Sequence, residues 1–245
     1  MSKTLVLIPS RLSATRLPRK PLLKINGISI ISHVVKKAKE TDIGDVYVAT
    51  EDKEIMDDVN LNGGKVILTS KKHKTGSDRI FECYEKLDLK DVDYIINLQG
   101  DEPNIDLSDL KHLNKLININ KPEIGTMAAE IDNKLKFNDE NIVKVITENK
   151  ITKENFTIAI DFKRRVNDKV TNIYHHIGVY AFKPKILKKI ISLKQTKNEI
   201  ANRLEQLRAM ENRIKINVAL AKISPIGVDT MEDYLALKKL LEYNS

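Results

Sequence analysis

Apolar residues in this 245-residue chain follow two successive patterns. In the first, short runs at residues 5–8, 46–50, 66–69 and 94–98 alternate with segments of helical spacing that start near Ser29, Lys53, Ser77 and Leu107. Continuous apolar strands alternating with amphipathic helices predict βα units, hence a mostly parallel sheet with helices on both faces. Ile30, Ile31, Val34, Val35 and Ala38 form the buried stripe of the first helix. Asn62-Gly63-Gly64 marks a turn before the third strand. From about Gly125 the pattern changes to extended runs at 126–131, 142–147, 156–160 and 173–182, broken by polar stretches such as Asp132-Asn133-Lys134. These predict strands of a smaller mixed sheet. Helices are predicted again at 184–191, 198–210 and 231–241, the last after a strand at 215–221. No internal repeat or low-complexity stretch interrupts the series.

At this length, with 41% apolar residues, the chain can bury a sizeable core, and one α/β domain with an inserted lobe fits both patterns. Charged residues make up 31% and the net charge is +8, which suits an anionic partner. Nucleic acid is disfavoured, because the cations are spread along the chain without zinc-finger spacing or an RNP-like aromatic motif. Cys83 is the only cysteine, so an internal disulfide and a Cys-based zinc cluster are excluded and a reducing cytoplasm fits. Its neighbours Ile80, Phe81 and Tyr84 predict a buried, inert thiol. No apolar run approaches the 18 or so residues of a membrane span, and no cleavable leader is evident, so a soluble, unexported protein is expected.

Chemistry concentrates after the first strand. Leu7-Ile8-Pro9-Ser10-Arg11-Leu12-Ser13-Ala14-Thr15-Arg16-Leu17-Pro18-Arg19-Lys20-Pro21-Leu22 places Arg11, Arg16 and Lys20 on one irregular loop at spacings of five and four. A loop leaving the carboxyl end of a buried strand is where open α/β sheets bind ligands, and folding back would let the three cations converge on a polyphosphate. The prolines stiffen the loop and lower the entropy cost of holding it. Neither G-x-x-x-x-G-K-[ST] nor G-x-G-x-x-G is present, which disfavours a Walker-type ATPase and a dinucleotide dehydrogenase.

Ile96-Asn97-Leu98-Gln99-Gly100-Asp101-Glu102-Pro103 ends the fourth strand in acids, and Gly227-Val228-Asp229-Thr230 supplies a further carboxylate. Asp101 and Asp229 suit a hard cation, since magnesium takes one or two carboxylates together with substrate phosphates; Asp229 equally suits a helix cap. Lys74-Thr75-Gly76-Ser77-Asp78-Arg79 opens a helix, where free amides and an arginine suit an anionic or carbonyl-rich ligand. Tyr174-His175-His176-Ile177-Gly178-Val179-Tyr180 and Leu204-Glu205-Gln206-Leu207-Arg208 carry donors and acceptors able to bracket a polyol.

These segments resemble, in order, the signatures of the 3-deoxy-manno-octulosonate (KDO) cytidylyltransferase family: I-P-A-R-x-x-S-T-R-L-P-G-K-P-L, T-G-T-D-R, V-N-x-Q-G-D-E-P, H-[IL]-G-[IV]-Y, L-E-Q-L-R and G-V-D-T-x-E-D. The chain has Ser10 for the usual Ala, Arg19 for the usual Gly and Ser77 for Thr. Phe162 and Arg164 align with Y-F-S-R, but the Pro-Ile-Pro turn that follows in the family is replaced by Asn167-Asp168-Lys169.

The resemblance implies a Rossmann-like α/β fold of the nucleotide-diphospho-sugar transferase type, as one domain over residues 1–245 with a sugar-binding and dimerising lobe at about 125–185. It implies transfer of CMP from CTP to KDO, an eight-carbon acidic sugar, for lipopolysaccharide biosynthesis. It further implies Mg2+ on Asp101 and Asp229, catalysis by Lys20 with that pair, and CTP held by Arg11, Arg16, Lys20, Thr75, Ser77, Arg79 and Gln99. The sugar would meet Gln99, Arg164, His176, Tyr180, Glu205 and Gln206. A cytoplasmic homodimer is implied as well. An amino-substituted KDO is the alternative substrate. A nucleic-acid-binding or catalytically idle regulatory protein is the alternative of another class, and it has no need of the Asp101/Asp229 pair beside a cationic loop.

Overall fold

A computed structural model describes residues 3–13, 16–133, 137–167 and 170–243. Ala14 and Thr15 of the cationic loop, Lys134 of the polar break and Asp168-Lys169 lie outside the described residues. The chain divides into two compact units, Met1–Leu107 with Pro225–Ser245, and Ser108–Ser224.

In the first unit, β1 (Thr4–Ser10) is followed by a 3₁₀ turn at Lys20–Leu22 and a hairpin of β2 (Lys24–Ile25) and β3 (Ile28–Ser29). Asn26 and Gly27 both have positive φ at the hairpin tip, the geometry an Asn-Gly pair adopts at little cost. Then come α1 (Ile30–Glu40), β4 (Gly44–Thr50), α2 (Lys53–Leu61), β5 (Val66–Leu68), α3 (Gly76–Leu87) and β6 (Tyr94–Asn97). The strands lie in the order β5-β4-β1-β6. All three pairings are parallel, with Leu7 of β1 opposite Tyr47 of β4 and Asn97 of β6. Leu5, Val6, Leu7 and Ile8 are almost wholly buried, as expected of a strand covered on both faces. The predicted stripe of α1 is buried, and Ser29 caps that helix by accepting from the Ser32 amide.

The second unit holds α4 (Leu107–Asn120, its first residue belonging to the first unit), β7 (Ile124–Ala129), β8 (Lys144–Thr147), β9 (Thr157–Lys163), β10 (Ile173–Phe182), α5 (Pro184–Ser192), α6 (Lys197–Asn202), α7 (Gln206–Glu211) and β11 (Ile216–Leu220). Its strands follow the order β10-β7-β11-β9-β8, and β8 pairs back to β10, so the five close into a ring. Only β7–β11 is parallel; the other pairings are antiparallel. The mixed sheet read from the sequence is present, and among the described residues each of its five strands is paired on both sides. The single helix predicted at 198–210 is two helices. Arg203 ends α6 in the left-handed conformation, φ 53°, with its amide bonded to the Glu199 carbonyl. The chain then returns to the first unit as α8 (Met231–Tyr243). Among the described residues no helix is long and apolar enough to cross a membrane.

Candidate active site

In the first unit, Pro9 near the end of β1 is the point on which three motifs meet. A Cβ on Gly76 would lie 3.3 Å from Pro9 Cγ, and one on Gly100 only 3.0 Å from the Pro9 carbonyl oxygen. Glycine at both positions lets the start of α3 and the turn after β6 approach β1 closely. Gln99, following β6, and Thr75 and Ser77, at the start of α3, are thereby brought beside the root of the cationic loop.

The loop is tied down at several places. The Leu12 amide donates to Asp52 at 2.8 Å, and Leu17 is buried in one apolar cluster with Val228 and Leu237. Arg19, the position where the family has glycine, has φ 57° and forms an exposed ion pair with Glu54. This anchoring aims two cations at the acids. Lys20 Nζ lies 2.6 Å from Asp101 Oδ2 and 3.3 Å from Asp229 Oδ1, and Arg16 Nη2 lies 3.0 Å from the same Asp229 oxygen. The Val228 amide donates to the Asp101 carbonyl at 3.1 Å, which holds the two acidic motifs side by side. Arg11 is exposed at the head of the loop.

Two residues depart from a simple reading of the motifs. Glu102, not singled out from the sequence, is a half-buried residue whose Oε2 is shielded from solvent and has no partner among the described residues. Burial raises its pKa to about 8, helped by Asp101 and Asp229 and opposed by Lys20. Its signal was only its place beside Asp101. Arg79, expected at CTP, is buried and gives its guanidinium to Thr69 Oγ1 at 2.8 Å and to Glu51. It braces α3 against the ends of β4 and β5. Thr75 caps α3 by accepting from the Asp78 amide, so the amides of Gly76 and Ser77 lie ahead of the first helical bonds.

Among the described residues no group of three or more His, Cys, Asp or Glu is set to hold a metal ion. Two carboxylates converging on one ammonium are nevertheless an all-oxygen donor set of the size magnesium uses when phosphate supplies the remaining ligands. The lysine ammonium is itself a cation held by that pair, so the residues present fit the ion.

In the second unit, β10 is irregular between Ile177 and Tyr180, and Thr126 of β7 fills the irregularity. Its hydroxyl donates to the Val179 carbonyl at 2.7 Å and lies 3.0 Å from His176 Nε2. A hydroxyl has one proton to give, so Nε2 carries its own proton and Nδ1 is the acceptor. Burial, with His175 adding to it, lowers the His176 pKa to about 3 and keeps the ring neutral. Tyr180 lies against it at 5.3 Å between ring centres, its hydroxyl buried and unpartnered among the described residues. Burial and the nearby Glu205 raise its pKa. Glu205 and Gln206 occupy the corner between α6 and α7. Arg164 donates to the carbonyls of Asn202 (2.8 Å), Glu140 (2.7 Å) and Arg203 (3.3 Å), and so holds that corner from outside.

Residues 5–216 match the cytidylyltransferase family model. The chain is 39% identical over 251 residues to a 3-deoxy-manno-octulosonate cytidylyltransferase of Rhodopseudomonas palustris, covering 99% of each chain. The chain belongs to this family. A relative of the same description from Thermodesulfovibrio yellowstonii is 39% identical over 97% of this chain and 98% of its own. Among solved structures, a CMP:2-keto-3-deoxy-manno-octonic acid synthetase complexed with CTP superposes with a TM-score of 0.91 at 31% identity, over the whole of both chains. An apo UDP-glucose pyrophosphorylase, at 17% identity and a TM-score of 0.75, shares the fold. The family read from the motifs is thus borne out, and the chain is a nucleotidyltransferase with a mixed α/β fold.

Proposed function

We propose that this enzyme transfers CMP from CTP to 3-deoxy-D-manno-octulosonate, forming CMP-KDO and pyrophosphate for lipopolysaccharide biosynthesis in the cytoplasm. The observation that carries the reading is Lys20 Nζ bridging Asp101 and Asp229. Such a cluster offers an ammonium to an incoming triphosphate and, once that ammonium swings to phosphate, two carboxylates to the accompanying cation. Bound magnesium would neutralise phosphate charge and orient the nucleotide.

Arg11 and Arg16 add positive charge around the phosphates, and the net charge of +8 favours encounter with them. Thr75, Ser77 and Gln99 face the nucleotide at the helix start and strand end, with Arg79 bracing α3 behind them. On the acceptor side, neutral His176, Tyr180, Glu205 and Gln206 bracket the hydroxyls and carboxylate of the sugar. Gln99 is assigned to the sugar as well as to the nucleotide. Arg164 spends three of its five N–H donors on the carbonyls of Asn202, Glu140 and Arg203 and keeps two for the sugar. The 2-hydroxyl oxygen forms the new bond to the α-phosphorus as the bond to pyrophosphate breaks, and no covalent enzyme intermediate is needed. Residues 1–245 act as one cytidylyltransferase domain, with sugar binding and dimerisation assigned to the segment at about 125–185.

The test is pyrophosphate release from CTP with magnesium and a panel of acidic sugars. KDO should clearly outcompete N-acetylneuraminic acid. Preference for an amino-substituted KDO would replace the named acceptor but keep the chemistry, and no release with any acidic sugar would overturn the reading.

A further inference from the structure

Glu199 of α6 and Arg208 of α7 are 2% and 6% exposed, so neither faces solvent or a substrate. Their pairing is complete. Glu199 Oε2 accepts from Arg208 Nε at 2.8 Å and from the Thr196 amide at 3.2 Å, while Oε1 accepts from Arg208 Nη2 and from Gln195 Nε2 at 3.2 Å. Arg208 Nη1 reaches the Ile190 carbonyl at 3.4 Å. A buried ion pair is weak evidence for stability, because apolar side chains of similar volume often serve as well or better. What such a pair supplies is one fixed arrangement of the parts it joins.

The parts joined here are the two arms of the corner that carries Glu205 and Gln206. Between them Arg203 holds a left-handed conformation that non-glycine residues resist. The Leu204 amide bonds the Glu199 carbonyl at 3.2 Å, and the Arg208 amide bonds the Glu205 carbonyl at 3.1 Å. The corner is therefore anchored at its start by Glu199 and at its end by Arg208, with Arg164 on its outer carbonyls.

We propose that the Glu199–Arg208 pair positions Glu205 and Gln206, and thereby sets the affinity for the acidic sugar without touching it. This inference rests on the reading of Glu205 and Gln206 as sugar contacts.

The experiment compares Arg208→Met, Arg208→Lys and the double variant Glu199→Met/Arg208→Met with the wild type. It measures KM for KDO at saturating CTP, KM for CTP at saturating KDO, and the melting temperature. Arg208→Met should raise the KM for KDO at least tenfold with the KM for CTP within twofold. Arg208→Lys keeps the charge but not the fork and should fall between. The double variant should melt near the wild type yet keep the raised KM for KDO, a result that a purely structural pair would not produce. An unchanged KM for KDO in any folded Met variant overturns the inference, as does an equal rise in both KM values. Loss of folding in all three variants assigns the pair to stability and also overturns it. If wild-type protein turns over no acidic sugar at all, the functional reading falls first and this inference with it.

Discussion

Lys20 holds two carboxylates with one ammonium. Asp101→Asn and Asp229→Asn keep the shape and most hydrogen bonds but remove a charge that would face magnesium, worth several kcal/mol in the transition state. Both variants should fold and lose most turnover while still binding CTP. Near-normal rates for either at saturating magnesium would end the two-carboxylate assignment. His176 makes a prediction about pH. Its folded pKa of about 3 lies below the ordinary 6.5, so below pH 6.5 the unfolded chain takes up a proton that the fold refuses. Stability is therefore lost as pH falls through that window, by up to about 1.4 kcal/mol per unit. In urea titrations at pH 7 and 5.5, the wild type should lose about 1 kcal/mol more than His176→Gln, whose amide does not titrate. Equal losses would show that the ring is not held neutral.

At the scale of elements, β1, the turn after β6 and the start of α3 are pressed together at Pro9. Gly100→Ala would push a methyl carbon into the Pro9 carbonyl, so it should cost about 1–3 kcal/mol and displace Asp101. The check is a lower urea midpoint accompanied by a lower kcat; an unchanged midpoint would mean that the turn relaxes freely. These contacts also show what sequence reading could reach. The four parallel strands and the longer helices of the first unit were legible because each is specified by its own spacing, whereas the two-residue strands β2 and β3 are too short to carry a period. The loop's cations were read toward a phosphate, and the pairing of Asp101 with Asp229 came from the family resemblance; the Lys20 bridge between the two acids was not read. The direction of Arg79 was not legible either, because a motif names an arginine without saying which neighbour is buried beside it. The break at Arg203 was hidden for a similar reason. Apolar spacing runs through it, and only the backbone bonds to Glu199 and the hold of Arg164 on the neighbouring carbonyls reveal a corner. Glu102 was legible only as a second acid, since its isolation depends on walls from other segments.

For the whole molecule, the ring of five strands in the second unit changes how an assembly would form. Every strand there has a partner on each side, so another copy cannot add to an open edge. A homodimer is still expected from the family, with side-chain faces rather than strand edges making the contact. Light scattering at micromolar concentration should give twice the monomer mass. A monomer at all concentrations up to that range would remove the dimer from the proposal.

The bridge made by Lys20 has one more consequence, for how the enzyme waits. Two acids brought together for a metal would repel each other in its absence, and many metal sites come apart when the ion is stripped. Here the Lys20 ammonium lies between the two acids and offsets their charge; on the proposed reading it would act as a placeholder that substrate draws away. Chelation should therefore silence the enzyme while leaving its melting temperature within about a degree, and added magnesium should restore activity without a refolding lag. Lys20→Met should lose that indifference, its resting form gaining stability when magnesium alone is supplied.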